Sequence, residues 1–199
     1  MSAEGRVFPM TPKLILTGFM ATGKSAVGHA AAARLGWRFI DSDAKIVARA
    51  GRPIAAIFSD GEAKFRALER QVIASIAGER RHCPLCHGDY PAVVSTGGGA
   101  LVDEANAAAL KRCGVVICLT AQPEVIAARV GRSPAKRPKL MEGGKPLLER
   151  IRELMGERAA AYARADVAID TSDISIENVV ERVLAEFAAR AYKRCVPSA

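Results

Sequence analysis

Gly18-Phe19-Met20-Ala21-Thr22-Gly23-Lys24-Ser25 is the stretch on which the fold turns. Its frame, Gly-x4-Gly-Lys-Ser, is the Walker A phosphate-binding pattern. It sits between an apolar run, Lys13-Leu14-Ile15-Leu16-Thr17, and an alanine-rich stretch over 25–35 that stops at Gly36. Strand, glycine loop and helix is the context that the motif's chemistry needs. Glycines let backbone N–H groups wrap a β-phosphate, and the helix N-terminus adds partial positive charge. Lys24 then bridges the β- and γ-phosphates as a point charge, while the Ser25 hydroxyl binds Mg²⁺. Gly18, Ala21, Thr22, Gly23, Lys24, Ser25 and Ala26 are the expected nucleotide-binding residues, with ATP and Mg²⁺ as the expected cofactors. The plain alternative is a chance glycine turn opening an alanine-rich helix.

Working outward, 37–41 reads as a second strand that delivers Asp41 and Asp43 at its C-terminal end. Helical patterns follow over 44–50, 53–58 and 61–77. Short apolar strands recur at 92–95, 115–119 and 167–170, with helical patterns between them. Such alternation predicts an α/β domain built on a parallel sheet. Residues 131–146 hold Arg132, Lys136, Arg137, Lys139 and Lys145 among glycines and prolines with no period, the composition of a mobile basic loop. A last amphipathic helix over 176–189 packs Val179, Val180, Val183, Leu184 and Phe187 on the sheet. The expected organisation is a short tail over 1–12, one domain over 13–190 and a tail over 191–199.

The chain has 199 residues, enough to bury one core and too few for two comfortable ones. Half of it is hydrophobic and 25% is charged, the composition of a globular domain. No apolar run approaches the roughly 20 residues of a membrane-spanning helix. The first residues, with Glu4 and Arg6, lack the apolar core of a secretory signal. A cytoplasmic protein without disulfides is therefore expected. The net charge of +8 calls for an anionic partner. Nucleic acid is not expected, because the 29 Lys and Arg are scattered and the aromatic residues form no stacking pattern.

Asp41-Ser42-Asp43 closes the second strand, and Gly97-Gly98-Gly99 follows the third. Both groups lie at the C-terminal edge of the sheet, where ligands of open α/β folds bind. One carboxylate is placed to hold the magnesium water shell and the other an acceptor hydroxyl; alternatively, Asp43 caps the next helix. The glycines either let a ligand approach the main chain or form a plain flexible loop.

Taken in order, Gly18-Phe19-Met20 leading into Gly23-Lys24-Ser25, Asp41-Ser42-Asp43, Gly61-Glu62-x2-Phe65-Arg66-x2-Glu69 and Ser95-Thr96-Gly97-Gly98-Gly99 resemble the shikimate kinases. Arg137-Pro138 and Glu157-Arg158-x3-Tyr162 extend the likeness over about residues 13–187. The resemblance implies a five-stranded parallel sheet in the order 2-3-1-4-5, flanked by helices in three layers. A lid at about 131–147 and a substrate-binding region at about 42–77 belong to the same pattern. It also implies transfer of the ATP γ-phosphoryl to the 3-hydroxyl of shikimate, in aromatic amino acid biosynthesis, by a monomer. By position, Asp43 corresponds to the residue that holds the acceptor hydroxyls and acts as base. Arg66 and Arg158 correspond to the clamp on the shikimate carboxylate, an arrangement that suits arginine forks. Gly97, Gly98 and Gly99 correspond to main-chain contacts, Phe58 and Phe65 to the walls around the ring, and Asp41, beside Ser25, to the holder of the Mg²⁺ shell. Arg137 corresponds to the lid arginine that reaches the transferring phosphoryl.

Each assignment has a rival. Arg66 with Glu69, and Arg158 with Glu153 or Glu157, have the spacing of surface ion pairs along a helix. Phe58 and Phe65 have the spacing of core residues. Another kinase of the same fold, such as a gluconate kinase, would share Lys24 and Ser25. A nucleotide-dependent switch or a silent binding module would share the loop, but the chain has no Asn-Lys-x-Asp tetrapeptide. The chain departs from the family at three places. Ala21 stands where relatives carry glycine, Lys139 follows the lid proline in place of an apolar residue, and 80–91 reads as an insertion. That insertion holds His82, Cys83, Cys86 and His87, which fit a reduced surface loop, a partial zinc site or, far less well without export, a haem attachment pattern.

Overall fold

The computed structural model describes residues 13–79, 91–132, 140 and 144–195. Its strands are β1 Lys13–Gly18, β2 Arg38–Asp41, β3 Ala92–Ser95, β4 Gly114–Thr120 and β5 Val167–Asp170. They form one sheet in the order β2-β3-β1-β4-β5, and every pair is parallel. This is the expected order. β1 lies at its centre, with Leu14 opposite Val93 on one side and Val115 on the other. Its six residues are all buried, as a central parallel strand covered on both faces must be.

The helices are α1 Lys24–Leu35, α2 Ser42–Ala50, α3 Ile54–Ser59, α4 Glu62–Gly78, α5 Glu104–Cys113, α6 Pro123–Gly131, α7 Leu147–Tyr162 and α8 Ile176–Cys195. Strand alternation sorts the core into two layers. Ile15, Val94 and Val116 pack with Phe65, Ile73 and Ile76 of α4 and Leu110 of α5. Leu14, Leu16, Val93 and Ile117 pack on the other face with Val27 and Ala31 of α1 and Val179 and Val183 of α8. A third cluster gathers Phe19, Ile126 of α6, and Ile151 and Leu154 of α7. It gives the glycine loop an apolar footing of its own.

Element ends moved where backbone partners decide them. The last helix runs past the expected Ala189 to Cys195. α2 begins at Ser42 because the Asp41 carboxylate caps it, accepting from the amides of Asp43 at 2.9 Å and Ala44 at 3.1 Å. The capping role offered as an alternative for Asp43 thus belongs to Asp41. Among the described residues no helix is long and apolar enough to cross a membrane. Arg137, Lys139 and the His82–Cys83–Cys86–His87 group lie outside the described residues.

This topology positions the site. Strand order reverses at β1, so the chain leaves β1 and β3 in opposite directions and opens a crevice at their C-terminal ends. The glycine loop follows β1 and the Thr96–Gly99 segment follows β3. A bond from the Thr96 amide to the Leu16 carbonyl, 2.9 Å, ties the two together.

Candidate active site

The loop from Gly18 to Ser25 is held from within. Gly18 has φ +130, and a Cβ there would lie 2.1 Å from the Leu119 carbonyl oxygen, so no other residue fits. Thr22 Oγ1 and Lys24 Nζ both donate to the Phe19 carbonyl, at 2.8 and 2.7 Å. Ala21 has φ +60 and is the sole non-glycine residue with positive φ among those described. A left-handed alanine costs roughly 1–2 kcal/mol, which is the physical reason for a glycine at the corresponding place in the resembling family. Here the strained peptide is braced from outside. Arg129 of α6 donates through Nη1 to the Ala21 carbonyl at 3.3 Å and through Nη2 to the Thr171 carbonyl at 2.6 Å.

Across the loop's mouth, Ser25 Oγ lies 3.5 Å from Asp41 Oδ2. Asp41 thus divides its work: Oδ1 caps α2 and Oδ2 faces the loop. A hydroxyl beside a carboxylate at a helix N-terminus is the hard-oxygen set that Mg²⁺ takes together with phosphates and water. Among the described residues no cluster of three His, Cys, Asp or Glu could hold a metal by itself.

A cavity of about 620 Å³ opens beside the loop, lined by Lys24, Ser25, Asp41, Asp43, Phe58, Phe65, Arg66, the three glycines Gly97 to Gly99, and Arg158. Asp43 Oδ1 is buried with no hydrogen-bond partner among the described residues. Burial, then the nearby charges of Asp41 and Glu69, push its carboxyl up to about 6. A Cβ on Gly97 would come within 2.7 Å of that same oxygen. The glycine therefore makes room for the acid as much as for any ligand.

Arg66 reaches the cavity from α4. Its Nη1 donates to Glu69 Oε2 at 2.7 Å, and its Nε and Nη2 donate to Glu62 Oε1 at 3.2 and 2.9 Å. The ion pair with Glu69 exists, yet Glu69 is 1% exposed and no surface partner. A buried carboxylate between Asp43 and Arg66 needs that arginine to stay charged. Arg158 of α7 is 9% exposed, and its Nη1 points 3.4 Å from the Gly98 carbonyl. The surface pairing considered for it does not form: Glu153 takes Lys145 and Arg150 instead, and Glu157 has Arg150 at 4.0 Å. Phe58 and Phe65 stack with ring centroids 4.3 Å apart. They satisfy both readings, since they pack on the core and also line the cavity.

The structure thus brings together Lys24, Ser25, Asp41, Asp43, Phe58, Phe65, Arg66, Gly97 to Gly99 and Arg158, along with Ala21. Gly18, Thr22, Gly23 and Ala26 frame the loop without lining this cavity, and Ala26 is exposed on the first turn of α1. Met20, Ile54, Ala55, Glu62, Glu69, Ser95 and Thr96 also line it and were not assigned from sequence. Glu62 and Glu69 carried a signal, their fixed spacing around Phe65-Arg66. Ile54 and Ala55 carried none, because α3 is a single short turn of apolar residues.

The family model described as shikimate kinase matches residues 20–188. A curated shikimate kinase of Geobacter sulfurreducens is 44% identical over 171 residues, 85% of this chain and 87% of that protein. One from Pelotomaculum thermopropionicum is 40% identical over 172 residues, 86% and 92% of the two chains. Among solved structures, a shikimate kinase from Acinetobacter baumannii in complex with shikimate superposes with a TM-score of 0.79 at 28% identity, covering 93% of this chain and 97% of that one. A gluconokinase from Sinorhizobium meliloti 1021 reaches a TM-score of 0.54 at 18% identity and shares the fold alone. With the loop, the acid, the two arginines and the glycines in one crevice and relatives matching along most of its length, the chain belongs to the shikimate kinase family.

Proposed function

We propose that this crevice transfers the γ-phosphoryl of ATP to the 3-hydroxyl of shikimate, giving shikimate 3-phosphate and ADP. The observation that carries the reading is the position of Asp43, which lines one cavity together with Lys24 and Arg66. An acid between a phosphate-binding lysine and a carboxylate-binding arginine sits where an acceptor hydroxyl must lie. Asp43 Oδ1, buried and without a partner among the described residues, accepts from that hydroxyl and takes its proton as the O–P bond forms. Lys24, now on the Phe19 carbonyl, turns to the β- and γ-phosphates.

Arg66 and Arg158 clamp the substrate carboxylate, and Phe58 and Phe65 wall the ring. Ser25 and, through water, Asp41 hold Mg²⁺, which neutralises charge on the β- and γ-phosphate oxygens when bound. Arg137 is assigned to the transferring phosphoryl by the resemblance alone. Phosphoryl transfer needs positioning and charge neutralisation more than covalent chemistry, and this chain's residues supply both. In this reading the protein works in the cytoplasm, as a monomer, on two soluble anions.

A coupled assay of ADP release with shikimate, gluconate and a nucleoside monophosphate tests the assignment. Turnover with shikimate is expected, and turnover only with another acceptor refutes it. Lys24→Ala abolishes turnover while the fold stays intact. Arg158→Ala raises the shikimate KM by about tenfold to a hundredfold, the loss of one charged hydrogen-bonding partner; an unchanged shikimate response removes the carboxylate clamp.

A further inference from the structure

Tyr162 closes α7 one turn after Arg158, and the reaction as described gives it no part. Its ring packs in the third core cluster beside Phe19 and Leu154. Its hydroxyl donates to the Gly98 carbonyl at 2.7 Å, the same oxygen that Arg158 Nη1 approaches at 3.4 Å. Burial holds the phenol up to about 12, so it keeps its proton and remains a donor.

The peptide that Tyr162 grips matters because of what lies on its other side. In a planar trans peptide the carbonyl and the following N–H point in opposite directions. The grip on the Gly98 carbonyl therefore turns the Gly99 N–H away from α7. Gly99 is buried and lines the cavity, and among the described residues its amide has no protein acceptor. A buried amide without an acceptor is costly and rare, and a ligand oxygen would satisfy it. Arg66 lies against the same residue, since a Cβ on Gly99 would come 2.7 Å from Nη1 and 2.8 Å from Nη2.

We propose that Tyr162 is a positioning residue: it fixes the Gly98–Gly99 peptide and so keeps the main-chain contact that the resemblance implies for Gly99 aimed at the substrate carboxylate, beside Arg66 and Arg158. This rests on the reading of the site as a carboxylate-binding acceptor pocket. The unliganded chain has two donors on the Gly98 carbonyl, Tyr162 and Arg158. When Arg158 turns to a carboxylate, the Tyr162 hydroxyl is the donor that stays on the Gly98 carbonyl. Without it the glycine pair, which has no side chains to resist rotation, is restrained only at its flanks, by the bonds of the Ala100 and Val102 amides to the Gly97 and Gly99 carbonyls at 3.1 and 3.0 Å, and the amide between them loses its fixed direction.

The test is Tyr162→Phe, which keeps the ring and removes the hydroxyl. The shikimate KM and the calorimetric shikimate Kd rise about tenfold, the effect of one lost hydrogen bond, while the ATP KM stays unchanged and kcat moves less than about threefold. With an analogue whose carboxylate is replaced by a primary alcohol, the substituted and unsubstituted chains bind alike. An unchanged shikimate Kd in folded Tyr162→Phe overturns the inference, as do equal rises in the shikimate and ATP constants. A second measurement needs no substitution: the Gly99 amide resonance of the ¹⁵N-labelled chain shifts on adding shikimate, and an unmoved resonance overturns the proposal. No shikimate binding by the unsubstituted chain would instead overturn the substrate assignment, and this inference with it.

Discussion

Asp43 loses water on folding and shares its pocket with Asp41 and Glu69, and these effects together outweigh the pull of Lys24 and Arg66. The sign of the consequence follows from linkage. A carboxyl raised from 3.8 to about 6 by folding holds its proton more tightly in the native state. Its contribution to stability is complete below its unfolded value and is lost as pH rises through about 6. In the proposed reaction Asp43 acts in its ionised form, so turnover is expected to fall as pH drops through the same range. Asp43→Asn therefore separates the two: turnover is lost, while the chain gains on the order of 1–2 kcal/mol near neutral pH, a figure reduced for solvent screening. Urea midpoints of both chains at about pH 7.5 and about pH 3, below the unfolded value, check this. The gain should shrink to nothing at the lower value, and a variant less stable at neutral pH would show that partners favour the ionised acid. The residue types of this pocket were legible in the linear pattern, but their environment was not. Asp43 meets Glu69 and Gly97 across α2, α4 and the end of β3, contacts that no local spacing encodes. Asp41 was read as a metal-side acid, and its second task as the cap of α2 emerged only with the backbone amides in place.

Among the elements, the strands were the most readable, because each is a short apolar run and the central one is uniformly so. α4 was equally plain, its apolar positions Phe65, Val72, Ile73 and Ile76 falling on one buried face. α6 was read only as a helix between strand and lid, and its principal task escaped notice. Arg129 carries no motif, and its partners lie far away in the chain at Ala21 and Thr171. Through that one guanidinium α6 braces the left-handed turn of the glycine loop against the end of β5. Thr171, 3% exposed, lies against the same loop, its Oγ1 3.2 Å from the Thr22 carbonyl. Arg129→Gln is expected to loosen the loop on its nucleotide side, raising the ATP KM by about tenfold for the loss of charge-assisted bonds to the Ala21 and Thr171 carbonyls. The shikimate KM should stay put, since Arg66, Gly99 and Arg158 are reached from α4, β3 and α7. Steady-state kinetics with each ligand varied in turn checks this; a parallel rise in both constants would mean that α6 supports the whole crevice.

For the molecule as a whole, the crevice at β1 and β3 is where two bodies of structure meet. On one side stand the glycine loop with its footing on α6 and α7; on the other stand α2, α3 and α4, which carry Asp43, the phenylalanines and Arg66. Neither side holds a complete site. The native state also bears costs there that folding alone does not offset: a left-handed alanine and, among the described residues, a buried Asp43 Oδ1 and a buried Gly99 amide without hydrogen-bond partners. Ligands that satisfy these groups bind the folded chain and have nothing comparable to bind in the unfolded one, so they must raise its stability by mass action. Shikimate and ADP, each at about a hundred times its Kd, are expected to add roughly 2.7 kcal/mol apiece, which for a domain of this size is a rise of several degrees in Tm. The two increments are separable because their anchors are. Arg158→Ala should remove most of the shikimate increment and leave that of ADP, and Lys24→Ala should do the reverse. Thermal scans of the three chains with each ligand decide it. If either substitution removed both increments, the two sides would be coupled through the crevice, and a divided site of independent anchors would be the wrong description.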